Sequence, residues 1–486
     1  MSPNDNYRSP LETRYASPQL RAIWSPQRKF ATWRRLWLAL AEAQRELGLN
    51  ISQTQIDQLS AHLDDIDFET AARHEARLHH DVMAHIHALG EIAPEARPII
   101  HLRATSQFVN CNTELLLLRE SLELIAQRLV TVIDALGTFA AVHRDLPTLG
   151  FTHFQPAQPT TVGKRATLWA YDFAIALQDV EHRLETLRFR GIKGATGTQA
   201  SFLALFEGDQ AKVERLDELV TEKMGWPPDM RFVVTGQTYP RLVDAQVLGS
   251  LAIAAAAVHK CATDIRLLAH RSELEEPFEQ DQVGSSAMPY KRNPMLCERA
   301  SGLARFVITL SSSALHTAST QWLERSLDDS ANRRLTLPEC FLALDGALDA
   351  MGRVTAGLVV YPLVIRANLL SELPFLVTED ILMAATRCGV DRQEAHELIR
   401  GHSRAVAARV REQGLANDLL ERLKGEPLFS GIDFDALMDP DSRVGRAPEQ
   451  VDHFIATVVD PIRARQQGPN QGPKRRKKKE KPRTTC

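Results

Sequence analysis

Residues 241–274 read RLVDAQVLGSLAIAAAAVHKCATDIRLLAHRSEL. Apolar residues recur there at three- and four-residue spacing, and between Ala252 and Ala257 polar side chains vanish from every side. A helix apolar all round is a helix buried all round, and small residues let its neighbours approach closely. One chain rarely encloses so long a helix, so a bundle shared between copies is expected. Two other stretches repeat the pattern. Asn112 to His143 opens on the cap candidates Asn112 and Thr113, then carries Leu115, Leu118, Leu122, Ile125, Leu129, Val132, Ile133 and Leu136 on one face. Pro159 to Phe189 follows the same period. Helical patterns beyond about 25 residues point to a bundle or coiled-coil-like assembly.

Shorter amphipathic helices flank this centre. Before it, Lys29 to Leu89 includes Thr32 to Leu47, ending near Gly48; after it, Tyr361 to Arg463 is punctuated by Gly389, Gly401, Gly414 and Gly425. β signal is confined to short runs such as Phe232 to Thr235. The expected fold class is all-α. Four parts are expected: a helical domain over 1–111, a long-helix bundle over 112–360, a helical domain over 361–463, and a disordered basic tail over 464–486.

Bulk composition narrows the function classes. The longest apolar run, Leu251 to Val258, falls far short of the ~20 residues of a membrane span. The first residues lack a basic-then-apolar leader. Cys111, Cys261, Cys297, Cys340, Cys388 and Cys486 are scattered without a CxxC pair, which fits neither a disulfide framework nor a zinc site. A cytoplasmic protein is expected. The net charge of −3 divides into +7 over Lys474 to Arg483 and −10 over the rest. An acidic body argues against a nucleic-acid-binding domain and leaves only the tail as a polyanion binder.

Three stretches interrupt the helical patterns with chemistry. His79-His80-Asp81-Val82-Met83-Ala84-His85, with His87, invites a metal reading. His80 and His85 are five apart, however, which does not stack on one helix face, and no HExxH-like set completes them. Gly150 to Pro159 holds His153 between aromatics on a proline-stiffened loop entering a helix. It is a packed histidine or a general acid–base group. Gly284-Ser285-Ser286-Ala287-Met288-Pro289-Tyr290-Lys291-Arg292-Asn293-Pro294 is the strongest: small residues whose N–H groups, beside Lys and Asn, suit a developing oxyanion. It lacks P-loop spacing, and a plain surface loop is the alternative.

Gly284 to Pro294 resembles the signature loop of the fumarase/aspartase superfamily, G-S-S-x-M-P-x-K-x-N-P, at every fixed position. Within it the chain resembles the adenylosuccinate lyase family of the animal type nearly from end to end. The matching stretches include Tyr7 to Leu11, Arg14 to Pro18, Asp81 to His85, Leu149 to Gln158, Gly194 to Phe202, Thr235 to Tyr239, Glu275 to Phe278 and Glu324 to Arg334; only the tail after about Arg463 falls outside. The resemblance implies a homotetramer with a twenty-helix core and sites shared among three subunits. It implies elimination of fumarate from adenylosuccinate, giving AMP, and from SAICAR, giving AICAR. No metal or organic cofactor is implied.

The proton to be removed, next to a carboxylate, is very weakly acidic, and its loss creates an aci-carboxylate dianion that fixed donors must stabilise. By resemblance Ser285 is the base, His153 the acid, Glu298 the carboxylate orienting that histidine, and Lys291 and Asn293 the stabilisers. A serine base is not suggested by spacing; loop closure must supply its activation. Arg14, Tyr15, Arg325, Ser330 and Arg334 map to phosphate and ribose, where the arginine fork binds bidentately. Arg299, Gln237, Thr105 and Ser106 map to the succinyl carboxylates or nearby groups, and His80 and Asp81 to the base and leaving group. The chain departs from the family pattern at three positions, with His79 for Arg, Arg103 for Gly and Cys111 for Asp. Arg103 is expected to replace the charge missing at 79. Rival readings are another superfamily lyase (argininosuccinate lyase, aspartase or fumarase), against which the Arg14-Tyr15 and Ser330 to Arg334 matches count, and a non-catalytic module, against which the intact catalytic set counts.

Overall fold

A computed structural model describes residues 5–466. The expectations for the basic tail lie outside these residues. The chain forms two compact units, the first of residues 5–129, 175–266 and 278–354, the second of 130–174, 267–277 and 355–466; four of the five boundaries fall inside long helices, and the one at 277/278 lies in a loop.

In the first unit, helix α1 (Pro26–Glu46) starts where the Ser25 side chain accepts from the Arg28 N–H, and it stops before Gly48 at φ +96. It buries Trp33, Leu36, Trp37 and Leu40. Helix α2 (Asp81–Ile92) is capped by His80, whose ring nitrogen accepts from Met83 N. Helix α3 (Ser106–Val142) has the expected apolar face: Leu115, Leu118, Leu122, Ile125 and Leu129 are all buried. Burying such side chains stabilises by roughly 1.5–3 kcal/mol each. The helix starts six residues before the cap candidates. Asn112 is buried inside it and exchanges two hydrogen bonds of 3.1 Å with the backbone of Gly191. A polar residue satisfied by a distant loop looks in sequence like a helix start.

Helix α5 (Leu242–His270) confirms the decisive stretch as helical. Leu248, Leu251, Ala254, Ala255, Val258, Cys261 and Ile265 are fully buried, whereas Ile253 and Ala256 are exposed. One side is therefore buried within the chain and the small-residue side is open. Two helices, Ser106–Val142 and Leu242–His270, are long and apolar enough by composition to cross a membrane, with 44% and 50% of their most apolar windows buried. Half-burial of that kind is what a core helix of a bundle shows. Phe232 to Thr235 is not a strand; only the neighbouring Arg231 makes a bridge, to Phe189.

In the second unit the sequence reading missed a β-hairpin. Strands β1 (Pro147–Thr152) and β2 (Gln155–Thr161) pair antiparallel, so the helix expected from Pro159 begins only at α4 (Val162–Thr186), where the Thr161 hydroxyl accepts from Lys164 N. The prolines of β2 conceal it, since a two-stranded edge tolerates residues without N–H donors. A second short ladder joins Leu274–Glu275 to Val359–Val360. The remaining helices enclose a core of Leu373, Val377, Ile381, Ala385, Leu419, Leu423 and Phe429.

Helices α6 (Met295–Ser319) and α7 (Asp329–Ala356) complete the first unit, apart from the last two residues of α7. Overall the chain is all-α with two minor ladders.

Candidate active site

Three helix N-termini line one cleft of about 530 Å³ in the first unit. Asp81 opens α2, Ser106 opens α3, and Ser330 stands in the first turn of α7; all three line it, with His80, Gln237, Arg325 and Arg334. The positive ends of three helix dipoles make such a place favourable for anions. His80 is held by the Met83 N–H on one ring nitrogen, and its Nε2 lies 3.3 Å from the Ser106 hydroxyl. Arg334 reaches Asp81 at 3.2 Å, and Arg325 donates to Asp329 at 2.6 Å. Seven expected binding residues thus meet in one cavity.

The cleft floor rests on a buried network that spacing did not reveal. Arg333 Nε donates to Asp244 at 2.6 Å and its Nη2 to Glu114 at 2.7 Å, while Tyr239 donates to Asp244 at 2.6 Å. Arg241 donates to Asp329 at 2.7 Å and lies over the Tyr239 ring. Against the cost of burial, Asp244 and Glu114 hold the Arg333 charge and push its pKa up. Alternating charges scattered over 220 residues of sequence carry no local signal of this network.

Arg14, Tyr15 and Arg299 line a second cleft of about 440 Å³, together with Arg128 and Arg353. The Arg299 guanidinium lies 5.9 Å from the Tyr15 ring centroid, and Asp349 pairs with Arg353 at 3.2 Å. Thr105 adjoins Ser106, and among the described residues its buried hydroxyl has no partner.

The signature loop closes on itself. Asn293 donates to the Gly284 carbonyl at 2.7 Å, and a Cβ at Gly284 would stand 2.1 Å from the Lys291 carbonyl oxygen. The Ser285 oxygen accepts from the N–H groups of Ala287 and Met288 at 3.3 and 3.2 Å. Donors aimed at a hydroxyl oxygen favour its anion, which is what a serine base requires. Lys291 is exposed, and Asn293 uses one of its two N–H bonds to clamp the loop. Glu298 lies in the first turn of α6, 3.8 Å from Arg266. Replacing Gly284 by alanine sets a methyl against the Lys291 carbonyl, so the exposed loop must shift to admit it. Catalytic turnover should fall by about 100-fold with little loss of thermal stability, since a misplacement of ~1 Å suffices for that. Near-parental steady-state rates would contradict the loop's part in the site.

His153 belongs to the second unit. It does not sit on a loop entering a helix but forms, with Phe154, the two-residue turn between β1 and β2. Both residues have positive φ, 54 and 57. That is the backbone of a type I′ turn, which favours Asn and Gly; histidine and phenylalanine bear it at a cost. The imidazole itself is exposed to solvent at the tip of the hairpin.

The histidine cluster divides. His85 stacks on Phe30 at 3.7 Å and is pushed down to about 4 by burial, and His101, accepting from the Trp37 indole at 2.9 Å, is also pushed down to about 4 by burial. His85 is a buried group and His101 a half-buried one, and both are neutral near pH 7. Among the described residues no three His, Cys, Asp or Glu side chains are placed to hold a metal. Cys111 is buried; its thiol donates to Gln107 Oε1 at 3.3 Å, and its sulfur accepts from the Arg241 guanidinium at 3.9 Å.

His79 lines the first cleft but Arg103 does not; it is exposed, at φ 61. The charge replacement expected of Arg103 is not made in this cleft. Arg103→Gly should therefore leave KM and kcat unchanged. Relieving the left-handed backbone should raise stability by about 0.5–1 kcal/mol in denaturant unfolding. A kinetic change would restore the replacement idea.

Comparison with known proteins matches the chain to two family models, "Lyase" over residues 15–309 and "Adenylosuccinate lyase C-terminus" over residues 374–454. The adenylosuccinate lyase of Saccharomyces cerevisiae is 51% identical over 461 residues, covering 94% of this chain and 95% of that protein. That of Schizosaccharomyces pombe is 51% identical over 455 residues, covering 93% and 94%, and that of Schistosoma mansoni is 48% identical over 461 residues, covering 94% and 96%. Among solved structures, the 3-carboxy-cis,cis-muconate lactonizing enzyme of Pseudomonas putida superimposes with a TM-score of 0.80 at 25% identity, covering 93% of this chain and 99% of that one. The fumarate lyase of Mesorhizobium sp. BNC1 does so with 0.78 at 25%, covering 93% and 100%. With this coverage from the first helices to the last, the chain belongs to the adenylosuccinate lyase family.

Proposed function

We propose that the chain is a C–N lyase that eliminates fumarate from adenylosuccinate, leaving AMP, and from SAICAR, leaving AICAR, in purine nucleotide synthesis. One observation supports this reading above the others. Family membership coincides with a cleft whose three helix N-termini, Arg325 and Arg334 suit an anionic nucleotide.

The proposed reaction divides its labour by chemistry. Ser285 acts as the alkoxide that its two backbone N–H donors favour, taking the proton from the succinyl carbon beside the carboxylate and becoming the neutral hydroxyl. The electron pair moves into that carboxylate, forming the dianion, which Lys291 and the remaining N–H of Asn293 stabilise. The C–N bond then breaks, fumarate forms, and His153 delivers a proton to the departing nitrogen. Glu298 orients His153. Thr105, Ser106, Gln237 and Arg299 hold the succinyl carboxylates or nearby groups, His80 and Asp81 lie by the base and leaving group, and Arg14, Tyr15, Arg325, Ser330 and Arg334 hold ribose and phosphate.

The proposed assembly is a homotetramer with shared active sites, in the cytoplasm. The open side of α5 supports it: Ile253 and Ala256 present small apolar surface, and Phe306 and Leu315 of α6 are exposed as well. Light scattering on the purified chain tests the tetramer. Measuring AMP and fumarate release from adenylosuccinate tests the reaction.

A further inference from the structure

The cations of the first cleft divide into paired and unpaired. Arg241 and Arg325 pair with Asp329, Arg333 with Asp244 and Glu114, and Arg334 with Asp81. Lys29, from the first turn of α1, also lines the cleft, and among the described residues it has no carboxylate within ion-pair distance. Its ammonium instead lies 5.1 Å from the Trp33 ring centroid and 5.2 Å from that of Phe30. Those ring faces attract the cation but offer no oxygen or nitrogen acceptor to its three N–H donors. The sequence gives no hint of this role, since one lysine in an amphipathic helix reads as a solvated face.

We propose that Lys29 is a phosphate-binding residue of this enzyme, its ammonium meeting the phosphate monoester of the substrate beside Arg334. The proposal rests on the reaction assigned above. The paired arginines carry ion-pair partners of their own, whereas Lys29 feels Asp81, Glu114 and Glu75 only from beyond ion-pair distance and can take an entering anion as its direct partner. Burial first, and then the nearby Arg334, lower the Lys29 pKa against the opposing pull of Asp81, Glu114 and Glu75. Both costs are relieved by a dianion lying between the two cations. A monoester dianion supplies that charge in one group, with three oxygens to share between the lysine donors and the arginine fork.

The test compares two substrates, adenylosuccinate and the nucleoside succinyladenosine, which lacks only the phosphate. In Lys29→Met the KM for adenylosuccinate should rise by about 10- to 100-fold, the loss of one charge-assisted contact, with kcat little changed. For succinyladenosine, kcat/KM should be the same in parent and variant. Lys29→Arg should recover most of the adenylosuccinate KM, which a merely structural role would not predict. Equal losses on both substrates would overturn the proposal, assigning Lys29 to the succinyl end or to folding, and so would an unchanged KM for adenylosuccinate.

Direct binding separates this from failure of the reaction assignment. If the parent turns over neither substrate, calorimetry with AMP and adenosine still reads the contact. Weaker AMP binding in Lys29→Met with adenosine unaffected supports it. Unchanged AMP binding overturns it.

Discussion

His153→Gly should lose catalytic turnover by about 10²–10⁴-fold while folding at least as stably as the parent. The magnitude is what a positioned proton donor contributes. The stability follows from the backbone: His153 is exposed at φ 54, in a two-residue turn where glycine is at home. Removing the strain should add about 0.5–1 kcal/mol, offset in part by glycine's freedom in the unfolded chain. The combination is diagnostic because most inactivating substitutions either leave stability alone or lower it. Steady-state kinetics and denaturant unfolding on the same preparation measure both. Retained kcat would remove His153 from proton transfer, and a clear loss of stability would contradict the turn argument.

The second large effect is structural. Asp244→Ala should destabilise the fold by about 3–5 kcal/mol, because it strands the buried charge of Arg333 and the hydroxyl of Tyr239. Asp244 is 2% exposed and accepts at 2.6 Å from both. Glu114 still faces Arg333 at 2.7 Å, so the guanidinium keeps one partner and the loss belongs at the lower end of that range. The cleft should suffer with the fold, since Arg333 and its neighbour Arg334 both line it. A shift in the denaturation midpoint equivalent to less than about 1 kcal/mol would show that the network is dispensable.

The helices were legible where one physical cause dominates. The three- and four-residue spacing from Leu115 to Leu136 reports burial of one face, and every residue named in it is buried. The helix starts were less legible. Asn112 looked like a cap because short polar side chains favour caps, yet its partner is Gly191, 79 residues away. The hairpin was hidden by the prolines of β2 and by a turn built from His153 and Phe154 rather than Asn-Gly. His153 is exposed at that turn, so it is not a packed side chain.

The candidate site was legible as a loop motif and a set of family positions, and the structure gathers seven of those positions in one cleft. Lys29, Glu114, Arg241 and Arg333 had no local signature. Their significance lies in which charges are paired inside the cleft and which are not, a property of three dimensions. The all-round burial read from Ala252 to Ala257 is met on one side only within the chain, and its other side is left to the proposed bundle.

The most direct test of the account is the reaction itself. Purified protein is mixed with adenylosuccinate, the ultraviolet absorbance change is followed, and the products are separated and identified. The account predicts AMP and fumarate in equal amounts, with the absorbance change lost in His153→Gly. A folded protein that leaves adenylosuccinate intact would contradict it.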